Sequence, residues 1–337
     1  MLSLPGSIIN KESLADWIEV RLLFSEATTL SLPVLSDWLD EDGTLSDLDL
    51  YDEAFTDLGQ AEDDLVDQDE AGVRRRLRQE DAEGVGKQSL LAEEALLELE
   101  YRATVVGDTY PIRVTHGLAR RAVESWRDCP VYAFLTALNA RYLYGLDANL
   151  NMGARLFERL VVPALKRYWG GEAAHFGWPR SQQEEANFRA ALPRLAHRIG
   201  ERLIIEPSRI PTSLKDLEVD AIAWRPVDDR RGQTVMLCQC AIGDDWDKKG
   251  IRVGLWAVFV NFAVEPTIAI AFPFVPPAVR RFEDIEVEWM LLCGKGGVPF
   301  DRLRLAHLVQ QDDLDSSLAA GIIQWTSDLA PVLRRSS

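Results

Sequence analysis

The sequence predicts a mixed α/β protein, in which a mainly helical N-terminal domain precedes a domain built on a β-sheet. Apolar residues recur at helical spacing through much of residues 1–151. After Gly153 the predicted elements follow the order helix, three strands, helix, strand. Within that order, residues 219–241 form two apolar, β-branched runs around a turn that holds Pro, Asp and Gly, which is the pattern of a β-hairpin. We therefore place a domain boundary between residues 1–151 and residues 152–337.

The bulk composition is that of an ordinary globular protein. With 337 residues the chain is long enough for two or three domains. Hydrophobic residues make up 47% of the chain and charged residues 27%. We expect a cytoplasmic protein without a membrane segment, because no run approaches the ~20 apolar residues of a membrane helix and residues 1–10 do not form a secretory leader. The cysteines lack CxxC spacing, so we expect reduced thiols.

The negative charge is concentrated in one segment. The formal net charge is -17, and fifteen Asp and Glu with no Lys or Arg lie between Asp37 and Glu70, leaving only -2 for the rest of the chain. Apolar residues such as Trp38 and Phe55 predict short helices there rather than a disordered tail. The segment is either a solvated face, which we favour, or an acidic surface that occupies a basic groove on a partner or on this chain. The charge argues against a free-standing DNA-binding surface.

Helices dominate the predicted N-terminal domain. Lys11 to Phe24 and Ser89 to Arg102 show the apolar periodicity of amphipathic helices. A third helix is predicted from Val131 to Tyr144, after a stop at Asp128-Cys129-Pro130. Thr109 to Val114 is predicted as a short strand.

The second domain is predicted to begin with a helix from Gly153 to Trp169, which Pro163 kinks. Gly170 to Arg180 is predicted as a loop, and residues from Leu314 to Leu333 as a final helix. The remaining predicted elements are a helix at Phe188–Gly200, strands at Arg202–Glu206, Val219–Trp224, 234–241 and Thr267–Val275, and a helix at Asp245–Phe262.

Polar residues occupy the predicted hairpin at defined positions. Asp220 lies at the start of the first strand. On the second strand, side chains alternate between faces, so Gln239 and Ala241 share one face while Cys238 and Cys240 share the other. An acid on one strand beside a polar residue on the next is a common way to build a metal-dependent nuclease site.

These residues carry a resemblance to a known superfamily. Asp220, followed by Gln239-Cys240-Ala241, resembles the signature of the PD-(D/E)XK nucleases, in particular their Mrr type, which reads Gly-Val-Asp and then Gln-Cys-Lys. Phe157-Glu158 resembles the Phe-Glu pair on an earlier helix of such enzymes. The resemblance covers residues 153–275 and implies a restriction-endonuclease-like αβββαβ core.

The resemblance also implies an activity. It implies a DNA endonuclease dependent on Mg²⁺ or Mn²⁺, with Glu158, Asp220 and Gln239 as metal ligands. Restriction or phage defence is the implied context, with a protein partner such as an ATPase or sensor subunit, or a homo-oligomer. The alternative is a nuclease-fold scaffold subunit that has lost catalysis and binds nucleic acid or a partner.

The expected lysine of the signature is missing, because Ala241 stands in its place. Lysines that have moved to the following helix are known in this fold, and Lys248 and Lys249 follow here. We favour Lys249, which lies one helical turn after Trp246 and so shares its face.

Other catalytic motifs are not present in the sequence. The four histidines lack zinc-ligand spacing, and the chain contains no Walker, GxGxxG or GxSxG string. We therefore expect no ATP hydrolysis by this chain. An RNA-cleaving enzyme is a third class, for which no histidine-based signature is present.

Overall fold

A computed structural model describes residues 10–41, 86–144, 150–178, 187–243, 249–276 and 287–336. Most of the acidic segment, the basic cluster at 74–78, and the residues Trp246 and Lys248 lie outside these ranges. The helices are α1 Lys11–Phe24, α2 Leu32–Glu41, α3 Lys87–Val106, α4 Pro130–Tyr144, α5 Leu150–Trp169, α6 Phe188–Arg198, α7 Val253–Trp256, α8 Val287–Gly296, α9 Arg302–Leu308 and α10 Ser316–Ser336. The strands are β1 Thr29–Ser31, β2 Ile112–Thr115, β3 Leu118–Arg121, β4 Glu172–His175, β5 Arg202–Leu203, β6 Ala221–Arg225, β7 Thr234–Cys240, β8 Val260–Asn261, β9 Thr267–Ala271 and β10 Val298–Phe300.

The predicted N-terminal helices are confirmed. Helix α1 has the predicted bounds, because Asn10 caps it: the Oδ1 atom of Asn10 accepts a hydrogen bond from the Ser13 amide at 2.8 Å. Helices α3 and α4 extend the predicted segments by a few residues. Strand β2 begins within the predicted strand and belongs to a small antiparallel sheet of order β1-β3-β2.

A mixed five-stranded sheet forms the centre of the protein, with the order β10-β9-β7-β6-β4. Strand β6 pairs antiparallel with both β4 and β7, which confirms the predicted hairpin. Strand β9 lies parallel to β7 and to β10.

The two faces of this sheet carry side chains of different size. The face covered by α5 is lined mostly by small residues: Ala221, Ala223, Cys238, Ala269 and Ala271. The opposite face packs larger residues against α6 and its neighbours: Ile222, Trp224, Val235 and Leu237. Because successive side chains alternate between faces, both sets follow from the hairpin register. The small residues let helix α5 lie close to the strands.

Three predicted elements after residue 169 are wrong. Part of the predicted loop is strand β4, which pairs closely with β6: a Cβ on Gly171 would lie 2.2 Å from the Trp224 carbonyl oxygen. The predicted strand at 202–206 shortens to β5, which pairs with β8 outside the central sheet. In the described part of the predicted helix at 245–262, the only helix is the short α7, and strand β8 follows it. Gly250, Gly254 and several β-branched residues lower the helix propensity of this segment.

One buried cluster joins the two halves of the chain. Helices α1, α3 and α4 share it with α5, α9, α10 and the small-residue face of the sheet. Buried contacts therefore cross position 151, and a domain boundary there stays a prediction. None of the described helices combines the length and apolar character that crossing a bilayer requires.

Candidate functional site

Asp220 is held in place by hydrogen bonds from the strands on both of its sides. Its backbone N–H donates to the Cys238 carbonyl at 2.9 Å, and its carbonyl accepts from the amides of Phe176 at 2.7 Å and Gly177 at 2.9 Å. Its Oδ2 atom accepts from the Cys240 amide at 2.7 Å. These bonds extend the ladder of β6 on both sides, so the carboxylate is fixed at the end of the strand.

Glu158 reaches the same end of the sheet from helix α5. Its neighbours Phe157 and Leu160 are fully buried, which fixes the rotation of the helix over the sheet. The Oε2 atom of Glu158 lies 3.0 Å from the Nε2 atom of His175, the last residue of β4. The structure therefore brings together Glu158 and Asp220, as the resemblance implies, and adds His175.

Gly177 shows how closely these groups approach one another. A Cβ atom on Gly177 would lie 2.9 Å from Asp220 Oδ1, 3.0 Å from Glu158 Oε2 and 3.1 Å from His175 Nε2. The two carboxylate oxygens are thus no more than about 6 Å apart, within the range at which like charges raise a pKa. Only glycine leaves this space free.

The pKa of Asp220 reflects this environment. Burial is the largest cause that raises it, and the nearby Glu158 carboxylate is the next. The hydrogen bond from the Cys240 amide acts in the opposite direction but does not offset them, and the pKa of Asp220 is raised to about 7. When both carboxylates are ionised they repel each other, and a bound cation would relieve that repulsion.

Gln239 lies on the strand next to Asp220. In the antiparallel pair β6–β7, Ala221 lies opposite Cys238. The preceding residue of the first strand, Asp220, therefore lies opposite the following residue of the second, Gln239. The Gln239 side chain is 9% exposed, and among the described residues its Oε1 atom accepts no hydrogen bond. Leaving a buried acceptor unpaired costs about 1–3 kcal/mol, which a bound cation or other donor would offset.

The lysine of the resembled signature has no counterpart at position 241. Ala241 is 1% exposed and packs among Ile270, Phe272 and Leu292. A lysine there would lie against this apolar cluster.

The proposed substitute for that lysine also needs correction. Lys249 lies in a segment without helical structure, so its predicted placement on a helix, one turn after Trp246, is wrong. The next residue, Gly250, packs closely against the Lys295 backbone: a Cβ atom on Gly250 would lie 3.3 Å from the Lys295 carbonyl oxygen. The argument for Lys249 over Lys248 therefore loses its basis, and Lys248 lies outside the described residues.

The donor atoms fit a hard divalent cation. Glu158 and Asp220 supply carboxylate oxygens and Gln239 an amide oxygen, the atoms that Mg²⁺ and Mn²⁺ bind. The described residues contain no group of three or more His, Cys, Asp and Glu side chains already arranged to hold a metal ion. A cation at this site would thus depend on the amide oxygen as well as on the two acids.

His175 is not among the predicted site residues, because Gly170 to Arg180 is predicted as a loop. A correct prediction of strand β4 would have identified it, since a histidine at the end of a strand paired with β6 lies near Asp220. The residues Glu172-Ala-Ala-His175 carry little β-propensity, so this strand could not be read from them.

No protein-family model, curated protein or solved structure matches this chain. The resemblance described above therefore depends on the motif residues and on the way that the fold arranges them.

Proposed function

We propose that this protein is a metal-dependent DNA endonuclease of the PD-(D/E)XK type. The observation that carries the proposal is the convergence of Glu158 and Asp220, from a helix and a strand far apart in sequence, on the backbone of Gly177. The raised pKa of Asp220 beside a second acid, and the unpaired amide oxygen of Gln239 on the neighbouring strand, are features of a site that would take a cation.

The order of elements also supports the proposal. Helix α5 is followed along the chain by β4, α6, β5, β6, β7, α7, β8 and β9. Strands β5 and β8 pair with each other outside the central sheet. Without these two strands and the inserted helix α6, the order is helix, three strands, helix, strand, in which β4 takes the place predicted for residues 202–206. The restriction-endonuclease-like core is therefore part of this proposal.

Each site residue has a definable role in hydrolysis of a phosphodiester. Asp220 and Glu158 present negatively charged oxygens. The Cys240 amide holds the Asp220 carboxylate in place, and the His175 ring holds that of Glu158. When bound, the cation would polarise the phosphate and lower the pKa of its attacking water. The water oxygen bonds to phosphorus, the bond from phosphorus to the sugar oxygen breaks, and that oxygen takes up a proton.

The charge distribution is compatible with a polyanionic substrate. Residues 150–337 contain 24 Lys and Arg and 24 Asp and Glu, so the whole negative excess lies in residues 1–149. The half that carries the site therefore has no net charge opposing DNA. A role in restriction or phage defence, with an ATPase or sensor partner, comes from the resemblance alone.

A second candidate function is a scaffold that keeps the fold without catalysis. The observation in its favour is Ala241, whose burial among apolar side chains leaves no room for a lysine. Such a protein would bind nucleic acid or a partner subunit and would not cut DNA.

Cleavage of supercoiled plasmid distinguishes the two. We expect cleavage by the wild-type protein with Mg²⁺ or Mn²⁺ and none with EDTA. Asp220→Asn and Glu158→Gln should each reduce the rate by at least about 100-fold, since either change removes one of two charged ligands. Glu172→Gln is the matched control, because it removes an exposed carboxylate from the same edge of the sheet and should cut normally.

Cleavage that survives in both site variants would contradict the proposal. DNA binding without cleavage in any metal would favour the scaffold.

A further inference from the structure

His175 contacts the acidic pair directly. Its Nε2 atom is 3.0 Å from Glu158 Oε2, and the side chains of His175 and Glu158 are 15% and 17% exposed. In the sheet register His175 lies opposite Ala221, next to Asp220 in sequence. A carboxylate that binds a cation has no proton to donate, so in a metal-binding site the hydrogen of this bond would belong to Nε2.

The backbone around His175 is held on both sides. Phe176 is buried against the rings of Phe188 and Trp256, with ring centroids 5.9 Å and 5.5 Å away. Gly177 donates to the Asp220 carbonyl. Since neighbouring residues are fixed in this way, the imidazole is presented to Glu158 from a rigid strand end, the kind of support that a precise site requires.

The position that the signature gives to lysine is filled by Ala241 and its apolar neighbours. Among the described residues, His175 brings a basic side chain to the acidic pair from a different strand, β4.

We propose that His175 is a positioning residue of the metal site. By donating to Oε2, it fixes the orientation of the Glu158 carboxylate toward a cation shared with Asp220. This inference rests on the proposed function, because it assumes that Glu158 is a ligand. Outer-shell partners of this kind change metal affinity by about 10–100-fold when they are removed.

Two amide variants provide the test. His175→Gln keeps an N–H donor at the reach of Nε2, whereas His175→Asn carries the same group but is one methylene too short to contact Glu158. His307, which lies on α9 and contacts the Val106 carbonyl, provides the control His307→Asn. Mn²⁺ binding is measured by isothermal titration calorimetry without DNA, and circular dichroism checks that each variant folds.

We expect the Asn variant at 175 to bind Mn²⁺ about 10–100-fold more weakly, while the Gln variant stays within about threefold of wild type and His307→Asn is unchanged. Equal affinity in the Gln and Asn variants would overturn the inference, and so would a wild-type protein that does not bind Mn²⁺. If the wild type binds Mn²⁺ with this pattern but cuts no DNA, the inference stands and the nuclease proposal fails.

Discussion

Two buried acidic clusters in this protein differ in what balances their charge. The first, here called the ion network, contains Asp16 and Glu19 of α1 together with Arg102 of α3 and Arg302 of α9. The Arg102 Nη1 atom lies 2.6 Å from Asp16 Oδ1 and 3.1 Å from Glu19 Oε1, and Arg302 Nη2 contacts Asp16 Oδ1 and lies 2.9 Å from Glu19 Oε2. The second cluster is the pair Glu158 and Asp220.

Neutral groups complete the ion network. The hydroxyls of Tyr110 and Tyr132 donate to Glu19 Oε1 at 2.8 Å and 2.7 Å, and the Asn139 amide donates to Asp16 Oδ2 at 2.6 Å. Burial, with Glu19 beside them, raises the pKa of both tyrosines well above the usual range, so they remain donors.

The pKa values of the two clusters move in opposite directions. Burial by itself raises the pKa of Asp16, but the guanidiniums of Arg302 and Arg102 outweigh it, and the result is below the usual value. The pKa of Asp220 rises to about 7, first because the carboxyl is buried and then because the Glu158 carboxylate lies nearby. The carboxylates of the ion network contact two arginines of the chain, whereas Glu158 contacts His175 and Asp220 contacts the Cys240 amide.

The largest expected effect is on the ion network. Arg302→Met should lower the free energy of unfolding by about 3–5 kcal/mol, because it leaves two buried carboxylates short of one cation. Arg304→Met is the matched control: Arg304 lies two residues away on the same helix and donates to the Pro299 carbonyl, so about 1 kcal/mol or less is expected. Urea unfolding measures both, and similar losses would contradict the central role of Arg302.

At the acidic pair, removing a charge is expected to raise the free energy of unfolding, whereas at the ion network it lowers it. The folded pKa of Asp220, about 7, exceeds the ordinary value of 3.8 for an aspartate, so the unfolded chain releases this proton first as pH rises. Stability is therefore lost as pH rises between those values. Asp220→Asn removes that loss and should stabilise the protein at pH 8 by roughly 2–4 kcal/mol, with little difference at pH 4.

Thermal unfolding at both pH values checks this prediction. Mg²⁺ or Mn²⁺ should raise the melting temperature of the wild type at pH 8 and not that of Asp220→Asn. A variant that is less stable than wild type at pH 8 would show that the pair is not under repulsion.

A smaller effect is expected at the glycine between the acids. Gly177→Ala places a methyl group within 2.9–3.1 Å of three polar atoms, so it should destabilise the protein by about 1–3 kcal/mol and weaken Mn²⁺ binding. Gly254→Ala is the control, since a Cβ there meets no atom within 4 Å. Equal melting temperatures for the two variants would contradict the close packing around Gly177.

The smallest effect is expected at an exposed pair on the same strand. Glu172 lies 3.1 Å from Lys166, with both side chains about half exposed. Glu172→Gln should change the free energy of unfolding by less than about 1 kcal/mol, because solvent screens the pair. A larger loss in urea unfolding would mean that an exposed ion pair contributes as much stability as a buried one, and that burial does not explain the larger effect expected at Arg302.

Local signals account for what the sequence could predict. Helix α1 was recovered because its cap and its apolar spacing lie within its own residues, and the β6–β7 hairpin because both strands are rich in β-branched residues. The approach of Glu158 to Asp220 followed from the resemblance and not from any local pattern.

The wrong predictions concern segments whose structure is decided by packing against residues that are distant in sequence. Strand β4 forms because Gly171 lets the chain lie against Trp224, and α7 is short because Trp256 is drawn into the core beside Phe176. The sequence predicts α1 as an amphipathic helix, and no local pattern marks its Asp16 and Glu19 as buried. Their burial depends on Arg302, which no pattern near α1 reveals.

The alanine-rich face beneath helix α5 has a consequence for the site. Glu158 is carried by the helix and Asp220 by the sheet, so the gap between their oxygens depends on the thickness of the layer of small side chains between them. Ala221 and Ala223 of β6 keep that layer thin. A larger side chain at Ala223 would move the helix away from the sheet and widen the gap between the two carboxylates, although Ala223 itself is not a residue of the site.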